Sequence, residues 1–187
     1  MSKLIVAMHV SLDGFVAGPH GEMDWIALDD ALFDFVGTLT AAASAALYGR
    51  TTFEMMHSYW PTAAASPNAS RHDVVHSTWY NAVTKYVLSD SMTEAVPGVE
   101  IVRGDALAAS IGEIKQRESG NIVIFGSPGA VHSLMRERLI DELHLFVNPV
   151  LVTGSARPAT SNAVAIHAAT PARVTVMISG SCVSGRE

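Results

Sequence analysis

Two short stretches combine the residue types that hold an anion. The first is Tyr48-Gly-Arg-Thr-Thr-Phe-Glu54, and the second is Val123-Ile-Phe-Gly-Ser-Pro-Gly-Ala-Val-His-Ser-Leu-Met135. In each, glycine separates an apolar run from a segment of helical character. The first turn of a helix presents backbone N–H groups without intrahelical partners and a partial positive charge, and glycine lets a phosphate come close to them. Arg50 adds a planar guanidinium fork that matches phosphate oxygens. Thr51 or Thr52 offers a hydroxyl. The same residues also have a purely structural reading. A threonine N-cap with Glu54 shortly after it is capping chemistry, and Gly126-Ser127-Pro128 is a cap followed by proline in the first turn. Neither stretch is a GxGxxG or a GxxxxGK[ST], so the residues alone leave both readings open.

Other chemistry-bearing groups carry less. His72 and His76 stand one turn apart on a predicted helix, as two zinc ligands would. However, HDVVH lacks the glutamate of HExxH and no third ligand is evident, so a solvated helix face is expected here and no metal site. Ser127 lies in GSPG rather than GxSxG, which gives no nucleophile elbow. Cys182 is the single cysteine, which excludes an internal disulfide framework and reads as a stray thiol.

The elements that position these residues follow from apolar patterning. Leu4 to Val10 is a near-continuous apolar run of strand length, consistent with burial on both faces. Residues 11–25 hold Gly14, Gly18, Pro19 and Gly21 and read as a long loop. Helical spacing runs from Ile26 to Ala43. A brief strand at Ala45 to Tyr48 leads to a helix at Thr52 to Tyr59, stopped by Pro61. Arg71 to Val83 reads as a further helix. Strands follow at Lys85 to Ser89 and Val99 to Val102, then a helix at Ala106 to Glu118. A strand at Asn121 to Phe125, a helix at Ala130 to Arg138 and a strand at Glu142 to Leu151 complete the alternation. Ala163 to Ala168 and Arg173 to Ile178 read as two last strands. Alternating strands and helices indicate an α/β layer fold with a largely parallel sheet, ending in a C-terminal antiparallel hairpin.

Composition bounds the function. The chain has 187 residues, 49% hydrophobic and 16% charged, with a mean hydropathy of +0.26. That length suits one domain, 1–187, burying roughly 70% of its unfolded surface. Charged content lies below the roughly 25% of an average soluble domain, so a second subunit is expected to cover part of the apolar surface as a homodimer. A net charge of −6, with twelve scattered Lys and Arg, argues against nucleic-acid binding. No apolar run reaches the roughly 18 residues of a membrane span, and the N-terminus has no signal-peptide pattern. No membrane association and a cytoplasmic location are expected.

Four motifs in order, SLDGFVAG, LYGRTTFEMM…YWP, IVIFGSPGAVHSLM and RLIDELHLFVNPVL, resemble the dihydrofolate-reductase-like family. The resemblance is to stand-alone relatives of the reductase domain of riboflavin-biosynthesis proteins, the RibD C-terminal type. It spans roughly residues 3 to 155. It implies a three-layer α/β fold with a mixed, mainly parallel sheet flanked by helices. It also implies NADPH-dependent hydride transfer to a small pteridine or pyrimidine substrate, with reduction of a flavin or another small molecule as the alternative, or a nucleotide-binding protein without turnover. The implied cofactor residues are Gly49, Arg50, Thr51 and Thr52 at the phosphates, and Gly126, Ser127, Pro128, Gly129 and Ala130 at the pyrophosphate. Leu88 and Ser89 would lie at the adenosine end, and the loop with Asp13 and Gly14 would cover the nicotinamide and substrate. Asp13 and then Asp24 are the expected catalytic carboxylates, and Trp25 and Trp60 the expected pocket walls. Deamination is excluded, because one cysteine cannot supply the paired cysteines of a Pro-Cys-x-x-Cys zinc site. This chain has Gly126-Ser127 where many relatives have a Gly-Gly pair, and Ser-Pro removes one N–H from the cradle. Asp90 follows Ser89, where a carboxylate repels a 2′-phosphate, so NADH is not excluded. After Val152 the chain holds no Phe, Tyr or Trp, which shifts the expected hairpin and dimer surface.

Overall fold

The computed structural model of the chain describes residues 1–93, 96–152 and 173–178. Its strands are β1 (Leu4–Ser11), β2 (Ala43–Gly49), β3 (Thr84–Leu88), β4 (Val99–Val102), β5 (Asn121–Phe125), β6 (Glu142–Asn148) and β7 (Arg173–Ile178). The α-helices are α1 (Asp30–Ala41), α2 (Arg50–Ala63), α3 (Arg71–Ala82), α4 (Leu107–Arg117) and α5 (Pro128–Arg136), with a 3₁₀ turn at Gly104–Ala106 before α4. The strands form one sheet in the order β4-β3-β2-β5-β1-β6-β7. Every pairing is parallel. The chain runs outward from β1 through β2, β3 and β4, and then returns to insert β5 between β2 and β1.

Helices cover both faces, which explains the near-continuous apolar strands. Leu4, Val6 and Met8 of β1 and Ile122 and Ile124 of β5 pack with Ile111, Ile114, Val131 and Leu134 of α4 and α5. Their neighbours Ile5, Ala7 and Val123 pack with Leu32, Val36 and Leu39 of α1 on the opposite face. On that same face Ala46, Tyr48 and Val87 meet Phe53 of α2 and Tyr80 of α3. The result is the expected three-layer α/β arrangement.

Several boundaries shift by a few residues, and three differences from the sequence expectation have a physical reason. α1 starts at Asp30, because Asp29 caps it and accepts the Leu32 N–H at 2.8 Å. Ile26 and Leu28 continue the apolar period but precede the helix. α2 runs through Pro61 to Ala63. A proline this near the end forfeits one backbone bond, to His57 O, and side chains of α3 take up last-turn carbonyls: Ser77 Oγ donates to Trp60 O and Asn81 Nδ2 to Pro61 O. The third difference concerns the last strands. β7 occupies the expected residues but pairs parallel to β6, with Glu142 opposite Arg173. Among the described residues the sheet is parallel throughout rather than mixed, and the expected C-terminal antiparallel hairpin involves Ala163 to Ala168, outside the described residues. A parallel neighbour needs a crossover of about a dozen residues or more, and residues 149–172 supply that length. The strand expected at Ala163 to Ala168, and Cys182, lie outside the described residues. Among the described residues no helix is long and apolar enough to cross a membrane.

Candidate active site

A parallel sheet delivers the C-terminal ends of all its strands to one rim, where α/β folds bind ligands. Here β2 and β5 are neighbours, with Ala46 opposite Val123. Three residues further on, that register brings Gly49 opposite Gly126. The two glycine corners touch. The Gly49 N–H donates to Ser127 Oγ at 2.9 Å. A methyl built on Gly49 would lie 3.6 Å from Ala130 Cβ, and one on Gly126 would lie 4.0 Å from Thr52 Cγ2.

Both helices begin without a side-chain cap. α2 starts directly after Gly49, which is extended and makes no capping bond. Thr51 and Thr52 thus lie inside the first turn, which sets aside the threonine N-cap reading. α5 starts after Ser127, whose backbone is left-handed at φ 60°, ψ 62°, following Gly126 at φ 70°. A non-glycine residue there stores strain of about 1–3 kcal/mol. Ser127 is held there by two bonds that it accepts: Oγ from Gly49 N–H, and O from Val131 N–H at 2.9 Å. Pro128 removes one N–H from the first turn and leaves those of Gly129 and Ala130.

These corners open into a cavity of about 1830 Å³. Gly49, Arg50, Thr51 and Thr52 line it from one corner, and Gly126, Ser127, Pro128, Gly129 and Ala130 from the other. Leu88, Ser89 and Asp90 line it after β3, and Gly104 and Asp105 after β4. Arg50 spans the gap to the β3 exit: Nε pairs with Glu54 Oε1 at 2.7 Å, and Nη1 donates to Ser91 Oγ at 3.3 Å. The β3 and β4 exits are tied together. Asp90 Oδ1 accepts the Gly104 N–H at 2.8 Å, and Arg103 donates to Ser89 O at 2.6 Å and Met92 O at 2.9 Å.

Of the expected walls, Trp60 lines the cavity, while Asp13, Gly14, Asp24 and Trp25 are not among its lining residues. Asp13 is a turn residue. Its Oδ1 accepts from Ser11 Oγ at 2.6 Å and from Val152 N–H at 3.1 Å. Desolvation, the largest single influence, raises its pKa, but the hydrogen bonds together outweigh it and hold the carboxyl below its ordinary value. That is wrong for a proton donor at neutral pH. Gly14 closes the same turn at φ 84°, and Trp25 Nε1 is spent on Glu22 O at 3.1 Å. Asp24 is exposed. The loop still reaches the cavity, but with the apolar Val16, Met23, Ile26 and Leu28.

Several lining residues were not anticipated. Gly104 forms a third strand-to-helix corner, legible as VEIV followed by Arg-Gly-Asp-Ala. His9 lines the cavity from β1, and burial lowers its imidazole to about 4. Phe33 of α1 and His72 and His76 of α3 also line the cavity. Among the described residues no three acidic, cysteine or histidine side chains are grouped to hold a metal ion.

A sequence profile of the RibD C-terminal domain matches residues 2–182. The chain belongs to the RibD C-terminal domain family. Among relatives of this RibD C-terminal domain, the uncharacterized protein YyaP of Bacillus subtilis is 28% identical over 160 residues, covering 83% of this chain and 79% of YyaP. Two solved structures share its fold. The Thermotoga maritima diaminohydroxyphosphoribosylaminopyrimidine deaminase/5-amino-6-(5-phosphoribosylamino)uracil reductase superposes with a TM-score of 0.55 at 18% identity, over 82% of this chain and 46% of that one. Enterococcus faecalis dihydrofolate reductase, solved with NADP(H), superposes at 0.54 and 18%, over 82% of this chain and 74% of that one. The dihydrofolate-reductase-like fold expected from the four motifs is therefore the fold of this RibD C-terminal domain.

Proposed function

We propose that this protein is a reductase that binds NADPH, with NADH as the alternative donor, across the paired corners. It delivers a hydride to a small heterocycle of pteridine or pyrimidine type. The observation that carries this reading is the pair of uncapped helix N-termini latched side by side on one rim. A helix N-terminus binds phosphate through its free N–H groups, and two side by side offer one set to each phosphate of a diphosphate. The cavity supports it too: about 1830 Å³ exceeds the roughly 300–1,000 Å³ of a single-ligand pocket, which leaves room for two ligands in contact.

On this reading the first turns of α2 and α5 hold the diphosphate, with Arg50 adding charge at the α2 corner. Ser127 fixes the distance between the corners. Leu88 and Ser89 face the adenosine end. When bound, the reduced nicotinamide supplies the hydride. The protein supplies orientation and exclusion of water, through Val16, Met23 and Ile26 of the long loop and the aromatic end of the cavity. His9 and His76 are held neutral by burial, with pKa values of about 4 and about 3, so they offer hydrogen bonds rather than protons.

The test is a fluorescence titration with NADPH and NADH. It is followed by loss of reduced-nicotinamide absorbance with pteridine, pyrimidine and flavin acceptors. Binding with oxidation by one acceptor class is expected. Absence of any dinucleotide binding would refute the reading, and binding without turnover would make the protein a nucleotide-binding relative. The low charged content supports a homodimer as the working assembly, and a light-scattering mass near that of one 19.8 kDa chain would refute that.

A further inference from the structure

The cavity has two chemically different ends. One holds the glycine corners with Arg50, Asp90 and Asp105. The other lies between α1, α2 and α3 and is aromatic. Phe33 of α1 and His72 of α3 stack at 4.0 Å with their planes 19° apart. Trp60 lies 4.1 Å from the His76 ring and meets His72 edge-on at 5.7 Å. Phe125 touches His76 at 5.4 Å between centroids, and the next residue is Gly126. The aromatic end therefore adjoins the α5 corner directly.

His76 is unusual within this end. The residue is 5% exposed and lines the cavity, yet neither Nδ1 nor Nε2 has a hydrogen-bond partner. Buried polar atoms are normally satisfied, and an imidazole beside a cavity with both nitrogens unmet has both free to meet a ligand there. Histidine χ2 is a broad torsion, so a turn of the ring presents either nitrogen. Burial lowers the pKa of both His72 and His76, so the pair is neutral and can give one donor and one acceptor each.

Charge is almost absent here. Asp73 is the carboxylate of this end, and both its oxygens are taken: Oδ2 accepts from Ser70 N–H at 2.9 Å and Ser70 Oγ at 2.8 Å, and Oδ1 from Tyr59 Oη at 3.0 Å. Among the described residues no lysine lines the cavity, and its arginines are Arg50 at the start of α2 and Arg136 at the end of α5. A phosphate brought to the aromatic end would lose water and gain no cation.

We propose that Phe33, Trp60, His72 and His76 form the acceptor subsite, and that the acceptor is a flat, uncharged heteroaromatic ring without a phosphate group. It stacks against Trp60 and hydrogen-bonds to His76 through its edge. This deepens the reductase reading and rests on it for the hydride donor. It sets the chain apart from a relative named for a phosphoribosylated uracil.

Riboflavin and FMN serve as probes, since they share one ring and differ by a phosphate. The full chain is saturated with NADP⁺ and titrated with each, read by flavin fluorescence anisotropy. Riboflavin is expected to bind about ten-fold tighter than FMN or better. Trp60→Leu should weaken riboflavin about ten-fold, the scale of one buried aromatic anchor, with the NADP⁺ dissociation constant unchanged. His76→Phe should weaken it several-fold, and His76→Gln, which keeps a donor and an acceptor, should restore it. His72→Ala, at a half-buried site, gives a second variant if Trp60→Leu does not fold. Equal or tighter FMN binding overturns the proposal. So does failure of both flavins to bind the NADP⁺-loaded protein, or variants that leave riboflavin affinity untouched. Riboflavin binding with the expected preference but no NADP⁺ binding would instead overturn the dinucleotide reading and leave the subsite standing.

Discussion

Gly49→Ala is expected to separate folding from binding. The Gly49 backbone, at φ −76° and ψ 157°, is one any L-residue adopts. The added methyl meets Ala130 Cβ at 3.6 Å and Ser127 Oγ at 3.7 Å, ordinary van der Waals distances. Two backbone effects then oppose each other. Alanine narrows the unfolded ensemble, a gain of about 0.4–1 kcal/mol. At a helix N-cap it is worse than glycine by a similar amount, about 0.5–1 kcal/mol. The net change should stay within about 1 kcal/mol, a melting shift of no more than about 2–4 °C for a chain this long. Binding should respond differently. The methyl stands between the first turns of α2 and α5, where a phosphate oxygen must come within about 2.9 Å of an N–H. Losing one charge-assisted hydrogen bond costs about 1.5–3 kcal/mol, or about 10- to 150-fold in Kd. The assay is a thermal melt with and without NADPH, paired with a fluorescence titration. At a hundredfold excess over Kd, NADPH should stabilise the parent by about 2.7 kcal/mol and the variant by far less. A folded Gly49→Ala protein that binds NADPH within two-fold of the parent would refute the paired-corner site.

Ser127→Ala should lower stability by about 1–3 kcal/mol, because the Gly49 N–H loses its acceptor; an unchanged urea midpoint would show that the latch contributes nothing. Arg50→Ala should weaken NADPH by about 1–3 kcal/mol, toward the lower end because its side chain is half exposed, and an unchanged dissociation constant would remove Arg50 from the site. Acid should destabilise the fold through histidine. His9 and His76 have folded pKa values of about 4 and about 3, below the ordinary 6.5, so between those limits the unfolded chain binds more protons. Stability is then full above pH 6.5 and falls as pH drops toward 3, by at most about 1.4 kcal/mol per pH unit for each histidine. Urea melts from pH 7 to pH 4.5 would measure this, and a slope unchanged by His76→Phe would refute the assignment for His76.

Much of the fold was legible because burial on both sheet faces leaves a plain mark. Leu4 to Val10 and Asn121 to Phe125 read as strands on apolar continuity alone. Boundaries were less legible where apolar residues serve something other than a helix stripe. Ile26 and Leu28 continue the α1 period yet line the cavity, while Asp29 sets the true start. The orientation of β7 was not legible at all, since a strand pattern carries no direction. In the site, the glycine corners were visible because their chemistry is local. Asp13 was harder to read, because Asp-Gly favours a turn as readily as a substrate contact, and its carboxylate is bonded within that turn and to Val152 N–H. His72 and His76 were recognised as a pair but read as a solvated helix face in place of a metal site, whereas His76 is buried. Their actual surroundings, Phe33, Trp60 and Phe125, come from three other elements, and no local spacing encodes such a meeting.

The capping pattern separates the two readings left open by YGRTTFE. Side-chain capping contributes about 0.5–2 kcal/mol per helix, and this chain uses it. Asp29 caps α1, and Ser70 with Asp73 forms a full capping box on α3. α2, α4 and α5 have no side-chain cap. Those three follow the glycine corners after β2, β4 and β5, and the start of each lines the cavity. If the corners were only turns, a serine or aspartate at Gly49 or Ala106 would satisfy the orphan N–H groups at no cost to the fold. At α5 the left-handed Ser127 carries strain that its bond from Gly49 N–H offsets. Leaving all three without a side-chain cap forgoes the capping stabilisation in the free protein. It does keep three sets of N–H donors directed at one volume, which is the arrangement an extended polyanionic ligand requires.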